Sequence, residues 1–207
     1  MVEIVVTGSA QRALTADRAV LALNASANYA EREPVVRRVT AQHEHLVARA
    51  KELVGAGFAA RYFANPIETH SNSWRDGEGR AIAEHYAQAS VEIEITALDL
   101  VGELTAEFAV DGVDAWVSWQ LSPELREGAM RELRAEAVAD ARRAAEDYAA
   151  AVEEIGARLV SLRDGRPGFG GPVPIARAMM ADAKASPEVT VREVEVSVQL
   201  EASFVAG

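Results

Sequence analysis

The chain carries four histidines, His43, His45, His70 and His85, the side chains best suited to hold a metal or move a proton near neutral pH. His43 and His45 are two apart, and on a helix that spacing turns them roughly 200° from each other, so they cannot chelate one ion. His43 falls on an apolar stripe, where a packed, hydrogen-bonded imidazole is the expected role. His70 and His85 flank Asp76-Gly77, a turn pair. A hairpin there would set them across from each other, and a metal would need Glu68 or Glu84 as a third ligand. That is one reading, a metal-dependent enzyme using His70 and His85.

Other chemistry is thinner. Glu92 and Glu94 pair two carboxylates, but they sit on the polar parity of an alternating stretch, where solvated side chains are expected. Serine and histidine occur without a "GxSxG" elbow, which leaves a hydrolase triad unsupported. "DGRPGFGGP" is rich in glycine but lacks the Lys-Ser/Thr of a phosphate-binding loop and the "GxGxxG" spacing, so it reads as a loop. Cysteine is absent, which excludes disulfides, thiolate catalysis and thiolate-bound zinc. With no converging polar constellation, neither catalytic residues nor a cofactor are expected.

Composition narrows the partners. A net charge of -11 repels phosphate backbones and anionic lipid, so nucleic acid is not an expected partner. With 49% apolar and 26% charged residues the chain should fold unaided. At 207 residues it fits one domain, residues 1–207, burying roughly 70% of its unfolded surface. No run approaches the length of a membrane-spanning helix, and Glu3 interrupts any signal-peptide pattern at once. The chain as it stands is expected in the cytoplasm, or in the periplasm or envelope if a leader has been removed.

The elements that must position these side chains follow from periodicity. "VEIVVTGSAQRAL" is rich in β-branched residues, and in "DRAVLALNASANY" Leu21, Leu23, Ala25, Ala27 and Tyr29 alternate with polar neighbours. The short "LTAD" between them suggests a hairpin, with these two strands as antiparallel neighbours. From Glu33 the period changes to three and four through Val36, Val39, His43, Leu46, Val47, Ala50, Leu53 and Val54, an amphipathic helix stopping at Gly55 and Gly57. "AARYFANPIETHS" and "AQASVEIEIT" read as strands joined by a hairpin through "NSWRDGEGR". A short helix spans about 98–110, and "VDAWVSWQL" follows as a strand with Val113, Ala115, Val117, Trp119 and Leu121 on one face.

Ser122-Pro123-Glu124 is a helix start, with an N-cap, a proline at the first helical position and an acidic first turn. The helix it opens has an apolar stripe of Met130, Leu133, Ala137, Ala141, Ala144, Tyr148, Val152 and Ile155. A coiled coil would place Leu or Ile at these positions, and a membrane-surface helix would have a basic polar face. Alanine through the middle instead suits close packing on the protein's own sheet. "ARLVSLRDG" reads as a strand, residues 166–187 as a mobile loop, and "EVTVREVEVSVQLEASFV" as a long strand whose two parities call for a bulge near Arg192-Glu193. The fold class expected is α+β: mainly antiparallel sheet, with the long helix of the C-terminal half and one or two further helices packed on one face.

Ala137, Ala141, Ala145, Ala149 and Gly156, with Asp140 and Arg143 between them and "RLVSLRDG" after, resemble the signature of the SIMPL domain family. "IVVTGSA", "ADRAVLALNASA", "IETHSN", "HYAQASVEIEI" and "LDLVGEL" fall in the order of that family, so the similarity spans nearly the whole chain. The resemblance implies the same α+β fold and a family of unknown function with no established catalytic residues to carry over. It also implies kinship with exported or envelope-associated bacterial proteins, one of them a periplasmic immunogenic protein that forms a large ring, and with an animal adaptor in kinase signalling.

Interaction is therefore the leading expectation. Trp74 falls near a hairpin tip, and Trp116 lies on the polar parity of its strand, opposite Trp119. Exposed tryptophan is an interface anchor, although a helix or loop over Trp116 would serve as well. Phe169, Ile175, Met179 and Met180 in the glycine- and proline-rich loop suit ordering on a partner. A non-enzymatic binding or scaffold protein is expected, self-associating as a homo-oligomer through sheet edges or the tryptophan surface, with a further protein partner possible and no direct membrane insertion. A small-molecule carrier with an enclosed apolar pocket is the other alternative beside the metal-dependent enzyme.

Overall fold

A computed structural model describes residues 1–165 and 189–207. The loop expected over 166–187, with Phe169, Met179 and Met180, lies outside the described residues. The strands are β1 (Val2–Thr15), β2 (Arg18–Tyr29), β3 (Ala59–Ala64), β4 (Glu68–Arg75), β5 (Ala81–Ile95), β6 (Val113–Gln120), β7 (Ala157–Asp164) and β8 (Glu193–Ala206). The helices are α1 (Arg32–Gly55), α2 (Val101–Phe108), entered through a single 3-10 turn at Leu98–Leu100, and α3 (Pro123–Ala151). Every strand pair is antiparallel, so the α+β class read from the sequence is the one found. Among the described residues no helix is long and apolar enough to cross a membrane.

The chain forms two compact units, one holding β1, α3, β7 and β8, the other everything from β2 to β6. In the first unit the strand order is β1-β8-β7. β1 and β8 run in unbroken register from Val2 opposite Ala206 to Thr15 opposite Glu193. This corrects the expected hairpin between β1 and β2. "LTAD" has no Asn-Gly or Asp-Gly pair to supply the two left-handed residues of a tight hairpin, and β1 finds a partner of its own length in β8. The bulge expected near Arg192-Glu193 is absent too: β8 begins at Glu193, so Val189 and Val191 lie before the strand and no change of parity is needed.

α3 packs on β1 and β8 through Ala129, Leu133, Ala137, Ala141, Ala145 and Ala149, which are buried at steps of four. The expected stripe holds through Ala141 and then departs, because Tyr148, Val152 and Ile155 are exposed, Ile155 by 93%. Steps of four drift about 40° around a helix at each repeat, which turns Tyr148 away from the sheet, while Val152 and Ile155 lie past the end of α3 at Ala151. The start is as read: Ser122 caps α3, its hydroxyl accepting from the Leu125 N–H at 3.3 Å, with Pro123 next.

The helix and β1 meet where both lack bulk. A Cβ on Gly8 would overlap the Ala137 carbonyl oxygen and stand 2.8 Å from Ala141 Cβ. Either side of that contact, the Ser9 N–H donates to Asp140 Oδ2 at 3.1 Å, and Arg12 reaches Glu132 at 2.6 Å and Glu136 at 2.5 Å. The Ser9 N–H, with help from Arg143, holds the Asp140 carboxyl below the usual carboxylate range.

In the second unit the order is β3-β5-β2-β6, with β4 also paired to β5. Sequence reading made β3 and β4 one strand; they are two, because Asn65-Pro66-Ile67 breaks the ladder and each piece pairs a different stretch of β5. Leu21, Leu23, Val91, Ile93 and Ile95 face inward against Val35, Val39, Leu46 and Leu53 of α1 and Leu104 and Phe108 of α2. α1 ends as its glycines suggest: Gly57 takes φ of 80° and the Phe58 N–H returns to the Leu53 carbonyl.

Two outcomes are expected from the first unit. Gly8→Ala lowers stability by about 2 kcal/mol in denaturant unfolding, since backbone on the other side of the contact cannot yield. The Asp140 carboxyl, lowered on folding, adds stability that is complete above its unfolded value near 3.8 and disappears as pH falls through the folded value. Thermal melts of the wild type should therefore lose more than melts of Asp140→Asn as pH is lowered below the unfolded value of 3.8.

Candidate functional site

The second sheet has two unlike faces because its strands alternate. Odd-numbered β5 positions from Ala87 to Ile95 lie under α1 and α2, while even-numbered ones face away from both helices. On that open face a single row crosses the sheet: Phe63 of β3 is opposite Glu92, Glu92 opposite Ala22, and Ala22 opposite Trp116 of β6. Phe63 is 55% exposed and Trp116 54%, so nothing among the described residues covers Trp116. Trp119, one parity over, packs against the core.

Farther along the same face, β4 and the start of β5 run past the end of β2, which last pairs at Tyr29 with His85. Every residue of β4 is exposed. Trp74 and Ile82 are opposite one another near the tip, Trp74 at 46% exposure. The tip is braced by Asp76, whose carboxylate accepts from the Glu78 and Arg80 N–H groups and from Arg80 Nε at 2.9 Å. The Arg80 guanidinium is the main reason its carboxyl titrates below the usual range. Gly79, with φ of 80°, takes the left-handed position of the turn, not the Gly77 that marked it in the sequence.

The histidines do not form the site their spacing suggested. His70 is opposite Tyr86 and its ring stacks on that phenol ring, centroids 4.8 Å apart and planes within 4°. His85 is opposite Ser71, whose Oγ is 2.6 Å from its Nδ1. One residue of offset puts His70 on the open face and His85 on the other, so the two imidazoles cannot close on one ion. Glu84 is already engaged, accepting from Asn28 Nδ2 at 2.6 Å and from the Tyr86 hydroxyl, whose titration this carboxylate pushes up. Glu68 accepts from Gln88 at 3.0 Å. No group of three or more possible metal ligands occurs among the described residues.

The remaining candidates resolve similarly. Glu94 is an ion-pair acceptor, 2.7 Å from Arg61 Nε and 3.7 Å from Arg18 Nε, whereas Glu92 stands in solvent. His43 is half-buried on α1, but its buried Nε2 has no hydrogen-bond partner among the described residues, contrary to the packed and bonded histidine expected. Two depressions lie on the helical side. One of about 410 Å3 runs along Val36, Thr40 and Ala41, and one of about 300 Å3 lies beside Leu53, Phe58 and Leu104. Arg49 at the second is held by Glu107 at 2.7 Å and Glu52 at 3.0 Å. Neither is an enclosed chamber.

What the structure places on one sheet face is a set of aromatics, Phe63 and Trp116 in one row and Trp74 ten positions of β5 away. Trp74 and Trp116, read separately from the sequence, lie on one side of one sheet. Phe63 joins them and was not anticipated, although its signal was present: Tyr62 packs inward, which sends Arg61 and Phe63 outward, with the Arg61 guanidinium 5.3 Å from the Phe63 ring centroid. This face carries aromatic surface together with the side-chain amides of Asn24, Asn28 and Gln88.

The family model described as SIMPL, protein of unknown function (DUF541), matches residues 4–204, and the chain belongs to that family. No match is found among curated proteins. The exposures predict the solution behaviour of the three tryptophans. At concentrations low enough for separate molecules, Trp74→Phe and Trp116→Phe should each remove a component of fluorescence quenched readily by iodide, and Trp119→Phe a protected one.

Proposed function

We propose that this SIMPL family member is a non-enzymatic binding or scaffold protein that self-associates, with the open face of the five-stranded sheet as its contact surface. One observation carries the reading: Phe63, Trp74 and Trp116, all about half exposed, share a sheet face that carries neither α1 nor α2. Large aromatic side chains offer area at low conformational cost and act as anchors in interfaces. The surroundings support contact with protein. Asn24, Ser26, Asn28, Gln88 and Ser90 supply hydrogen-bonding groups around the anchors, as the mixed character of such interfaces requires. Of the charges here, Glu94 is paired with Arg61 and Glu84 accepts hydrogen bonds from Asn28 and Tyr86.

The absolute mass of the protein by light scattering during size exclusion, across a concentration series, tests this. The expected result is a mass above that of one chain that falls on dilution. Trp116→Ala should shift the assembly toward single chains by roughly tenfold in concentration, on the scale of a strong interface residue, with an unchanged circular dichroism melt. A single-chain mass at every concentration would overturn self-association, and an unchanged assembly in the variant would remove Trp116 from it.

A further inference from the structure

Sheet edges differ in how readily they accept another strand, and among the described residues one edge carries the fewest devices that block addition. β1 has Asp140 seated on the Ser9 N–H and Arg12 drawn to α3. β7 has a register shift between Leu159 and Ser161 and carries Arg158, Arg163 and Asp164. β3 is short, with a shift between Ala59 and Arg61, and β4 is charged at both ends by Glu68 and Arg75. β6, "VDAWVSWQ", has no proline, no register shift and a single charge, Asp114.

The polarity of its backbone can be worked out. The Ser26 N–H donates to the Gly112 carbonyl at 2.9 Å, in the same register that pairs Ala25 with Val113. In an antiparallel ladder N–H and C=O of one residue point the same way and alternate along the strand. Asp114, Trp116, Ser118 and Gln120 therefore turn their backbone groups to β2, and Ala115, Val117 and Trp119 turn theirs to the free edge. Val113 shares the outward parity, but its N–H is already spent on the Val110 carbonyl at 2.9 Å.

We infer that β6 of one copy adds antiparallel to β6 of a second copy about a two-fold axis at Val117, joining the two five-stranded sheets through their edges. The inference rests on the self-association proposed above and places it at the β6 edge, next to Trp116, rather than across the whole open face. With the axis at Val117, Ala115 meets Trp119 of the second copy and Val117 meets itself, which satisfies all three outward residues in about six backbone hydrogen bonds. On the helical face the small side chain of Ala115 receives the indole of Trp119. On the open face Trp116 meets Ser118, and Asp114 meets Gln120, so no carboxylate is set against another despite the net charge of -11. A contact of this kind uses the same surface on both copies and closes on itself.

The absence of cysteine gives a clean test. Asp114 and Gln120 of opposite copies form a laterally paired, non-hydrogen-bonded site on the open face, close enough for a disulfide. Under mild oxidation the double variant Asp114→Cys/Gln120→Cys should give a covalent dimer, and neither single variant should. Val117→Pro removes an outward N–H that β2 does not use, so its circular dichroism should be unchanged while the mass halves in the range where the wild type is associated. An associated wild type with no cross-link in the double variant would refute the β6 edge and leave self-association standing through another surface. A wild type that stays a single chain at every concentration would refute both. Cross-linking in either single variant would refute the Val117 axis. Should Val117→Pro fail to fold, the disulfide result decides alone.

Discussion

The closest approach of helix to sheet, at Gly8, sets the geometry of the unit built from β1, β7, β8 and α3. Because no side chain intervenes, the backbone of α3 rests directly against that of β1, and the contact row on either side must be small, which is what Ala137, Ala141, Ala145 and Ala149 provide. Two polar consequences follow from this short distance. The Asp140 carboxylate can reach a main-chain N–H of the strand, and Arg12 can reach two glutamates one turn apart on the helix. The alanines themselves bury little area each, so the stability of the arrangement rests on the larger residues at its margins, Leu133, Leu200, Phe204 and Ile4.

In the other unit the governing constraint is the two-residue period of the strands. One parity of β2, β5 and β6 is committed to α1 and α2, and the other must face away whatever its composition. A single offset along the β4-β5 ladder is then enough to put His70 and His85 on opposite sides, and the same rule gathers Phe63 and Trp116, from strands at opposite edges, into one row. Sites on a sheet are selected by parity and register together; nearness in sequence counts for less.

The extent to which this was legible in the sequence varies with the range of the interaction involved. Local signals held: the Ser122-Pro123 start of α3, the glycine end of α1 and the alternation of β2 and β5 all depend on neighbours within a few residues. The mistaken β1-β2 hairpin depended on the choice of a distant partner, since nothing within β1 itself points to residues 193–206. The winding of the α3 contact row likewise needs the twist of a sheet that helical periodicity does not contain, which is why Tyr148 was placed inside, and the apolar stripe runs on in the sequence past the helix end at Ala151 to Val152 and Ile155. For the candidate surface, the parity of Trp116 could be read from "VDAWVSWQ" alone. Its kinship with Trp74 and Phe63 required the pairing of five strands. The histidines illustrate the converse, as their spacing around a correctly identified turn was right and the one-residue offset was invisible.

The pairing of β1 with β8 bears on how the chain acquires its structure during synthesis. The strands β2 to β6 and the helices α1 and α2 all come from residues 16–120, so contacts among them can be made soon after that stretch leaves the ribosome, whereas β1 has no strand partner until the segment from Glu193 to Ala206 has been made. Such long sequence separation raises contact order and slows closure. For most of translation β1 is a β-branched segment awaiting its partner, and the exposed edge of that nascent strand is where chaperone binding or misassembly would act.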